Sequence, residues 1–240
     1  MTEPIRFDEY AAHYDAALGR GISLSGEDKE YFARGRIDWL NRCLQGLSER
    51  PRVVMDYGCG LGSSTSLFLD LLGADHVVGV DTSPGLLDLA KCECGSERAE
   101  FHRLDQYHPS SQIDLAYCNG VFHHIPPRDR PGVVDYIFRS LHPGGLFACW
   151  ENNPWNPGTR LVMARIPFDR DAVTLSAPQG RRLLQTGGFE ILRTDFLFIF
   201  PKLLKRLRKI EPWVSALPLG AQFQILCRRP VGSRGFSHDQ

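Results

Sequence analysis

From Val53 onward the chain alternates short apolar runs with longer stretches in which apolar residues recur at helical spacing. That alternation predicts strands joined by crossover helices, the pattern of a mostly parallel sheet. VVMDY (53–57), VVGVD (77–81), AEFHRL (99–104), IDLAYC (113–118) and LFACWE (146–151) read as five such strands. Between the first two, Leu67, Phe68, Leu71 and Leu72 share a helical face, and Gly73 stands where a helix-ending glycine belongs. A further helix is expected from about Arg130 to Leu141, stopped by HPGG (142–145).

Before the sheet, some fifty residues read as a helical cover. Phe32, Trp39, Leu40, Cys43, Leu44 and Leu47 lie along one face, and Ser25 and Asp28 are spaced as an N-terminal capping pair. After Glu151, ENNPWNPGTR is too rich in Asn, Pro and Gly to continue a helix or strand and reads as a loop. SAPQGRRLLQTGGF (176–189) reads as a helix with Pro178 in its first turn, and FEILRTDFLFIF and AQFQILCRR as antiparallel edge strands. The organisation expected is therefore a helical cover over 1–50, an α/β domain over 51–230 and a disordered tail over 231–240.

Composition narrows the class without changing this outline. With 28 basic and 28 acidic residues, no overall field attracts a polyanion, which argues against nucleic acid as a partner. No stretch approaches the roughly 20 apolar residues of a membrane span, and the opening MTEPIRFDEY has no signal-peptide core, so a cytoplasmic protein is expected. The seven cysteines are odd in number and scattered, as in a reducing compartment. Cys92 and Cys94 form a lone C-x-C with no second Cys/His cluster, and no metal site is expected.

The chemistry concentrates in VVMDYGCGLGSS (53–64), an apolar strand that ends in Asp56, turns through Gly58, Gly60 and Gly62 and enters a helix. Glycines there allow close backbone approach to a ligand, and the helix N-terminus offers unpaired N–H groups. The second strand ends in Asp81, placed to accept hydrogen bonds from ribose hydroxyls. Both features describe a site for an adenosine-containing ligand. A nicotinamide-dependent oxidoreductase shares this logic, but its G-x-G-x-x-G spacing fits G-C-G-L-G poorly.

The order D-Y-G-C-G-L-G, V-G-V-D-T-S, L-D-Q, N-G-V-F-H-H-I, L-H-P-G-G-L-F over about residues 50–151 closely resembles the class I S-adenosylmethionine-dependent methyltransferases of small-molecule type. Tyr57 stands where a small or aliphatic residue is commoner, and Cys59 is a familiar variant in the turn. The resemblance implies a Rossmann-like fold with a seven-stranded, mostly parallel sheet, a seventh strand running antiparallel, helices on both faces, and S-adenosyl-L-methionine as cofactor. It implies that Asp56, Gly58, Cys59, Gly60 and Gly62 wrap the methionine portion. Asp81 would hold the ribose beside Thr82 and Ser83, Asp105 and Gln106 would flank the adenine, and Asn119, Gly120 and Val121 would floor the sulfonium. In the lead-in FDEYAAHYDAAL, Tyr14, and with less reason Tyr10, would close over the cofactor or simply pack.

The acceptor side is read from the residues. His123 and His124 follow the fourth strand, where a histidine can serve as base or shape the pocket. Strand alternation lets only one of the pair face the site, and of the two His123 is the candidate for substrate and His124 for the cofactor pocket. Glu151, Asn152, Asn153, Asn156 and Arg160 gather charge and amides where an acceptor should lie, although such amides also satisfy turns. PFDRDAV (167–173) is a charged stretch that could line the same mouth or be a plain turn. FPKLLKRLRKIEPW (200–213) interleaves five basic residues with Leu203, Leu204, Leu207 and Ile210; it would cover the cleft, or touch an anionic membrane surface. The function expected is methyl transfer to a small-molecule or lipid-like acceptor, the alternative being a cofactor-binding subunit without turnover.

Overall fold

The computed structural model describes residues 19, 21–169 and 172–232; Tyr10, Tyr14 and most of the tail lie outside them. Seven strands form one sheet in the order β3-β2-β1-β4-β5-β7-β6. They are β1 (Val53–Tyr57), β2 (His76–Asp81), β3 (Ala99–Arg103), β4 (Ile113–Asn119), β5 (Leu141–Asn152), β6 (Glu190–Leu197) and β7 (Gln222–Arg228). Pairings from β3 through β5 are parallel, whereas β7 runs antiparallel to both β5 and β6. This is the seven-stranded class I arrangement that the resemblance implies. One expectation is corrected: of the two antiparallel strands only β6 is an edge, because β7 inserts between β5 and β6.

Successive strand residues point to opposite faces, and each face carries its own core. Val54, Leu115, Tyr117, Ala148 and Trp150 pack under α1 (Lys29–Gly46), α2 (Thr65–Leu71) and α3 (Pro84–Cys94). Met55, Ala116, Cys118, Phe147 and Cys149 pack under α4 (Arg130–Ser140) and, beyond α5 (Pro157–Met163), α6 (Ala177–Thr186). The connecting helices therefore change face at the β1/β4 boundary, which opens a crevice at the C-terminal ends of those strands.

Local chemistry explains where several elements start. Asp28, not Ser25, caps α1 by accepting from the Tyr31 N–H at 2.7 Å; the Ser25 hydroxyl instead donates to the Ile22 carbonyl. The α1 face buries Ile37, Trp39, Leu40, Cys43 and Leu44, while Leu47, just past the helix end, is exposed. Asn156 caps α5 through the Thr159 N–H at 3.0 Å with Pro157 in the first turn, so the segment expected to be all loop opens a helix. HPGG lies inside β5, at the register shift between the Ile113 and Leu115 pairings.

The basic segment forms a 3₁₀ helix over Lys202–Ile210 with a kink at Leu204, followed by α7 (Glu211–Val214). Arg208 ties it to the rest of the chain by donating to Glu27 at 2.9 Å and to the Phe200 carbonyl at 3.0 Å, with its guanidinium 4.6 Å above the Tyr31 ring. Its outer side leaves Leu203 92% and Trp213 88% exposed. No helix among the described residues is long and apolar enough to cross a membrane.

Candidate active site

Two cavities open at the C-terminal edge of the sheet and meet at a wall made by Lys29, Arg36 and Asn119. The smaller, about 370 Å³, lies over the glycine turn and is lined by Asp56, Gly58, Cys59, Gly60, Ser63 and Tyr117. Gly58, Gly60 and Gly62 all adopt positive φ, between 53° and 73°. At Gly58 a β-carbon would also stand 2.4 Å from Val121, so the turn tolerates only glycine there. Val121 thus acts by packing beneath the turn.

Asp81 braces this turn from the next strand. Its two carboxylate oxygens accept from the Gly60 and Ser83 N–H groups, each at 2.9 Å. Ser83 is buried and caps α3 through the Leu86 N–H, whereas Thr82 is exposed. Asp56 is buried at the base of the cavity. Burial and the nearby Asp81 charge push its carboxyl up to about 7, although Arg36 pulls the other way. Burial holds the Cys59 thiol far above its usual range, so it is not a nucleophile.

Arg36 was not foreseen as a site residue. It comes from the buried face of α1, donates to the Tyr117 hydroxyl at 3.1 Å and to Gln222 at 3.0 Å, and lines both cavities. Asn119, at the end of β4, presents a buried side-chain oxygen with no hydrogen-bond partner at the shared wall. A glycine cradle, a buried acid, a buried guanidinium and an orphaned acceptor fit the charged amino-acid end of the implied cofactor. Asp105 and Gln106 are exposed in the turn after β3 and line neither cavity; Asp105 pairs with Arg103 at 2.8 Å.

The larger cavity, about 540 Å³, is mostly apolar, with Phe32, Val162, Met163, Ile166, Phe198 and Phe200 among its walls. Gly120, Asn152, Asn156 and both histidines line it too. Phe122–His124 form a 3₁₀ turn, so strand alternation does not apply and His123 and His124 turn toward the same space. Glu151 is buried beneath them. One of its oxygens accepts from the Phe122 N–H at 2.8 Å, and the other lies 2.7 Å from His123 Nδ1. Both oxygens are engaged and Glu151 does not line the cavity, so it meets the cavity only through His123.

Asp169, buried in the PFDRDAV stretch, completes the cluster at 3.4 Å from His123 Nε2 and 3.3 Å from His124 Nε2. Burial opposes a charged His123 ring, but the Glu151 charge and the contacts to Asp169 and Glu151 overcome it and lift the ring to about 10. The two carboxylates thus favour the protonated form of the His123 ring. Burial, aided by the His123 charge, moves His124 downward.

The amides behind Glu151 serve the backbone. Buried Asn153 donates to the Pro218 and Gly220 carbonyls and accepts from the Trp155 N–H. Asn156 spends its amide nitrogen on Leu219 and its oxygen on the α5 cap. Asn152 accepts from Gln222 at 3.1 Å. Arg160 is exposed and does not line the cavity, because its position on α5 faces away.

Residues 54–145 match the family described as a methyltransferase domain. The trans-aconitate 2-methyltransferase of Methylobacterium radiotolerans is 34% identical over 119 residues, which cover 48% of this chain and 44% of that relative. The chain spans under half the length of the curated relatives it matches. Among solved structures, one from the complex of the Haloferax volcanii Trm112 methyltransferase activator with its methyltransferase has a TM-score of 0.64 at 17% identity, over 97% of this chain and 100% of that one. An S-adenosylmethionine-dependent methyltransferase from Mesorhizobium loti has a TM-score of 0.55 at 20% identity, over 75% of this chain and 91% of that one. The strand order is shared with these solved methyltransferases, and the match over residues 54–145 takes in the glycine turn and β1 to β4, so this part of the chain is similar to a methyltransferase domain.

Proposed function

We propose that this chain transfers a methyl group from S-adenosylmethionine to a small molecule held in the 540 Å³ cavity. The observation that carries this reading is the common wall: Arg36 and Asn119 face both the cavity over the glycine turn and the cavity holding the two histidines. Asp56 and Arg36 would hold the charged end of the cofactor and Asp81 would brace the turn that cradles it. The bound cofactor supplies an activated methyl on sulfur, so the chain's own task is to align a nucleophile and keep water out.

The cavity favours an acceptor with an apolar body and one polar end. Its aromatic and aliphatic walls dominate, and His123, His124 and Asp169 form one ionisable cluster among its polar groups. A tricarboxylate such as that named for the relatives suits it less well. Lys29, Arg36 and Arg208 are the lysine and arginines of the cavity, all three already have partners, and Asp169 and Glu27 add negative charge.

Calorimetry with S-adenosylmethionine and S-adenosylhomocysteine tests the cofactor part of the reading. Binding by the wild type and its loss in Asp81→Ala are expected, because that change frees the Gly60 and Ser83 N–H groups together. Mass analysis of products from a panel of apolar alcohols, amines and carboxylic acids tests turnover. Cofactor binding with no product from any class would favour a subunit without turnover.

Cofactor affinity should also depend on pH through Asp56. A carboxyl raised to about 7 is protonated below that pH, and binding a cationic ligand beside it favours the ionised form. Affinity is therefore lost as pH falls: between pH 7.5 and 6 the dissociation constant should rise about eightfold, while Asp56→Asn should bind more weakly and flatten the profile. A wild-type profile already flat over this range would remove Asp56 from the linkage.

A further inference from the structure

We propose that His123, His124 and Asp169 form a binding site for a divalent transition-metal ion of the zinc or iron(II) type, facing the acceptor cavity. One oxygen of Asp169 lies 3.4 Å from His123 Nε2 and 3.3 Å from His124 Nε2, and ligand atoms from all three residues fall within 4.8 Å of one another. A metal with bonds of about 2.0–2.1 Å at tetrahedral angles sets neighbouring ligand atoms about 3.3–3.4 Å apart. Asp169 therefore stands at ligand-to-ligand separation from both rings. A charge-assisted hydrogen bond would be shorter, about 2.7–2.9 Å. The chain makes such a contact on the opposite side of His123, where Nδ1 meets Glu151 at 2.7 Å.

That opposite contact is the second observation. A metal-bound imidazole usually donates its remote N–H to a carboxylate, which fixes the tautomer and aims the other nitrogen. Glu151 is placed for this: it is buried, held by the Phe122 N–H, and out of reach of the cavity. The third observation is access. His123, His124 and Asp169 all line the large cavity, so positions not taken by protein would face a bound molecule. Two imidazoles and one carboxylate suit zinc, iron(II) or cobalt(II) better than magnesium or calcium, which prefer oxygen ligands. Three protein ligands with an open position mark a catalytic site more than a structural one. A bound ion would take a lone pair from the acceptor's oxygen and ease loss of its proton. This role rests on the methyltransferase reading; metal binding itself does not.

The test is a cobalt(II) titration of the full chain, stripped with chelator and without an affinity tag, followed by visible absorption, with zinc stoichiometry from equilibrium dialysis. One ion per chain is expected, with an absorption band of four- or five-coordinate cobalt. Asp169→Asn and His124→Gln should each weaken binding at least about 100-fold, and Glu151→Gln about 10- to 100-fold. Circular dichroism should verify that each variant is folded. Absence of stoichiometric binding by the wild type, or binding retained in both folded variants Asp169→Asn and His124→Gln, overturns the proposal. Calorimetry with S-adenosylhomocysteine on the same samples separates this result from the cofactor reading: a chain that binds the cofactor but no metal loses only the metal site.

Discussion

Replacing Glu151 with alanine is expected to lower stability by about 3–5 kcal/mol, the usual effect of removing one member of a buried, hydrogen-bonded ionic pair. For a chain of this size that corresponds to a fall in Tm of about 10 °C. The change strands two groups at once: the Phe122 N–H loses its acceptor, and His123 Nδ1 loses its partner, both on buried residues. Glu151→Gln keeps the shape and an acceptor oxygen, so it should recover a large part of the loss. Differential scanning calorimetry of the two variants measures this. A Tm within about 2 °C of wild type for Glu151→Ala would show that the 3₁₀ turn is held by something other than this carboxylate, since such a shift corresponds to under about 1 kcal/mol.

The second large effect is expected at Arg36, and it appears in binding. Arg36→Met keeps an apolar stem of similar length on α1 but removes the guanidinium that meets Tyr117 and Gln222 and offsets the charge of Asp56. Without it Asp56 should be harder to ionise, and the dissociation constant for S-adenosylmethionine should rise about 10- to 100-fold, or about 1.4–2.7 kcal/mol. Arg36→Lys should fall between the two, because an ammonium keeps the charge but cannot span the two partners as a planar fork does. Calorimetry at pH 7.5 decides the matter. An unchanged affinity in Arg36→Met, with only a lower Tm, would leave Arg36 as a brace between α1 and the sheet.

What could be read from the sequence followed the range of the interaction involved. The parallel strands and the glycine turn were legible because period-two burial and positive φ leave marks on adjacent residues, as at Val54 and Met55 or at Gly58. The acceptor side depends on contacts between distant segments. Asp169 reaches His123 from a loop 46 positions away, and nothing in the spacing of PFDRDAV singles out that acid from its neighbours. Arg36 did leave a signal: it falls among the buried positions 33, 37, 40 and 44 of α1, and a cation on an apolar face calls for a partner. The histidine pair was misjudged because strand alternation was extended past the end of β4 into a turn. Of the two readings open for the amides after Glu151, Asn153 and Asn156 fit the one in which they close a turn, with Asn156-Pro157 the common entry to a helix.

The placement of β7 also sets an order of events during synthesis. Strands β1 to β4 are all available once residue 119 has emerged, so the half of the sheet that carries Asp56, Asp81 and Asn119 can assemble early. The partner edge of β5, which bears Glu151 and Asn152, stays open until residues 222–228 arrive to pair with it. At about 5–20 residues per second, the ribosome leaves the Leu146–Asn152 edge unpaired for several seconds, a hazard for edge-to-edge association. The nascent chain can thus acquire its nucleotide half before its acceptor half exists, and a ligand that binds the early half would favour productive folding over aggregation during that interval.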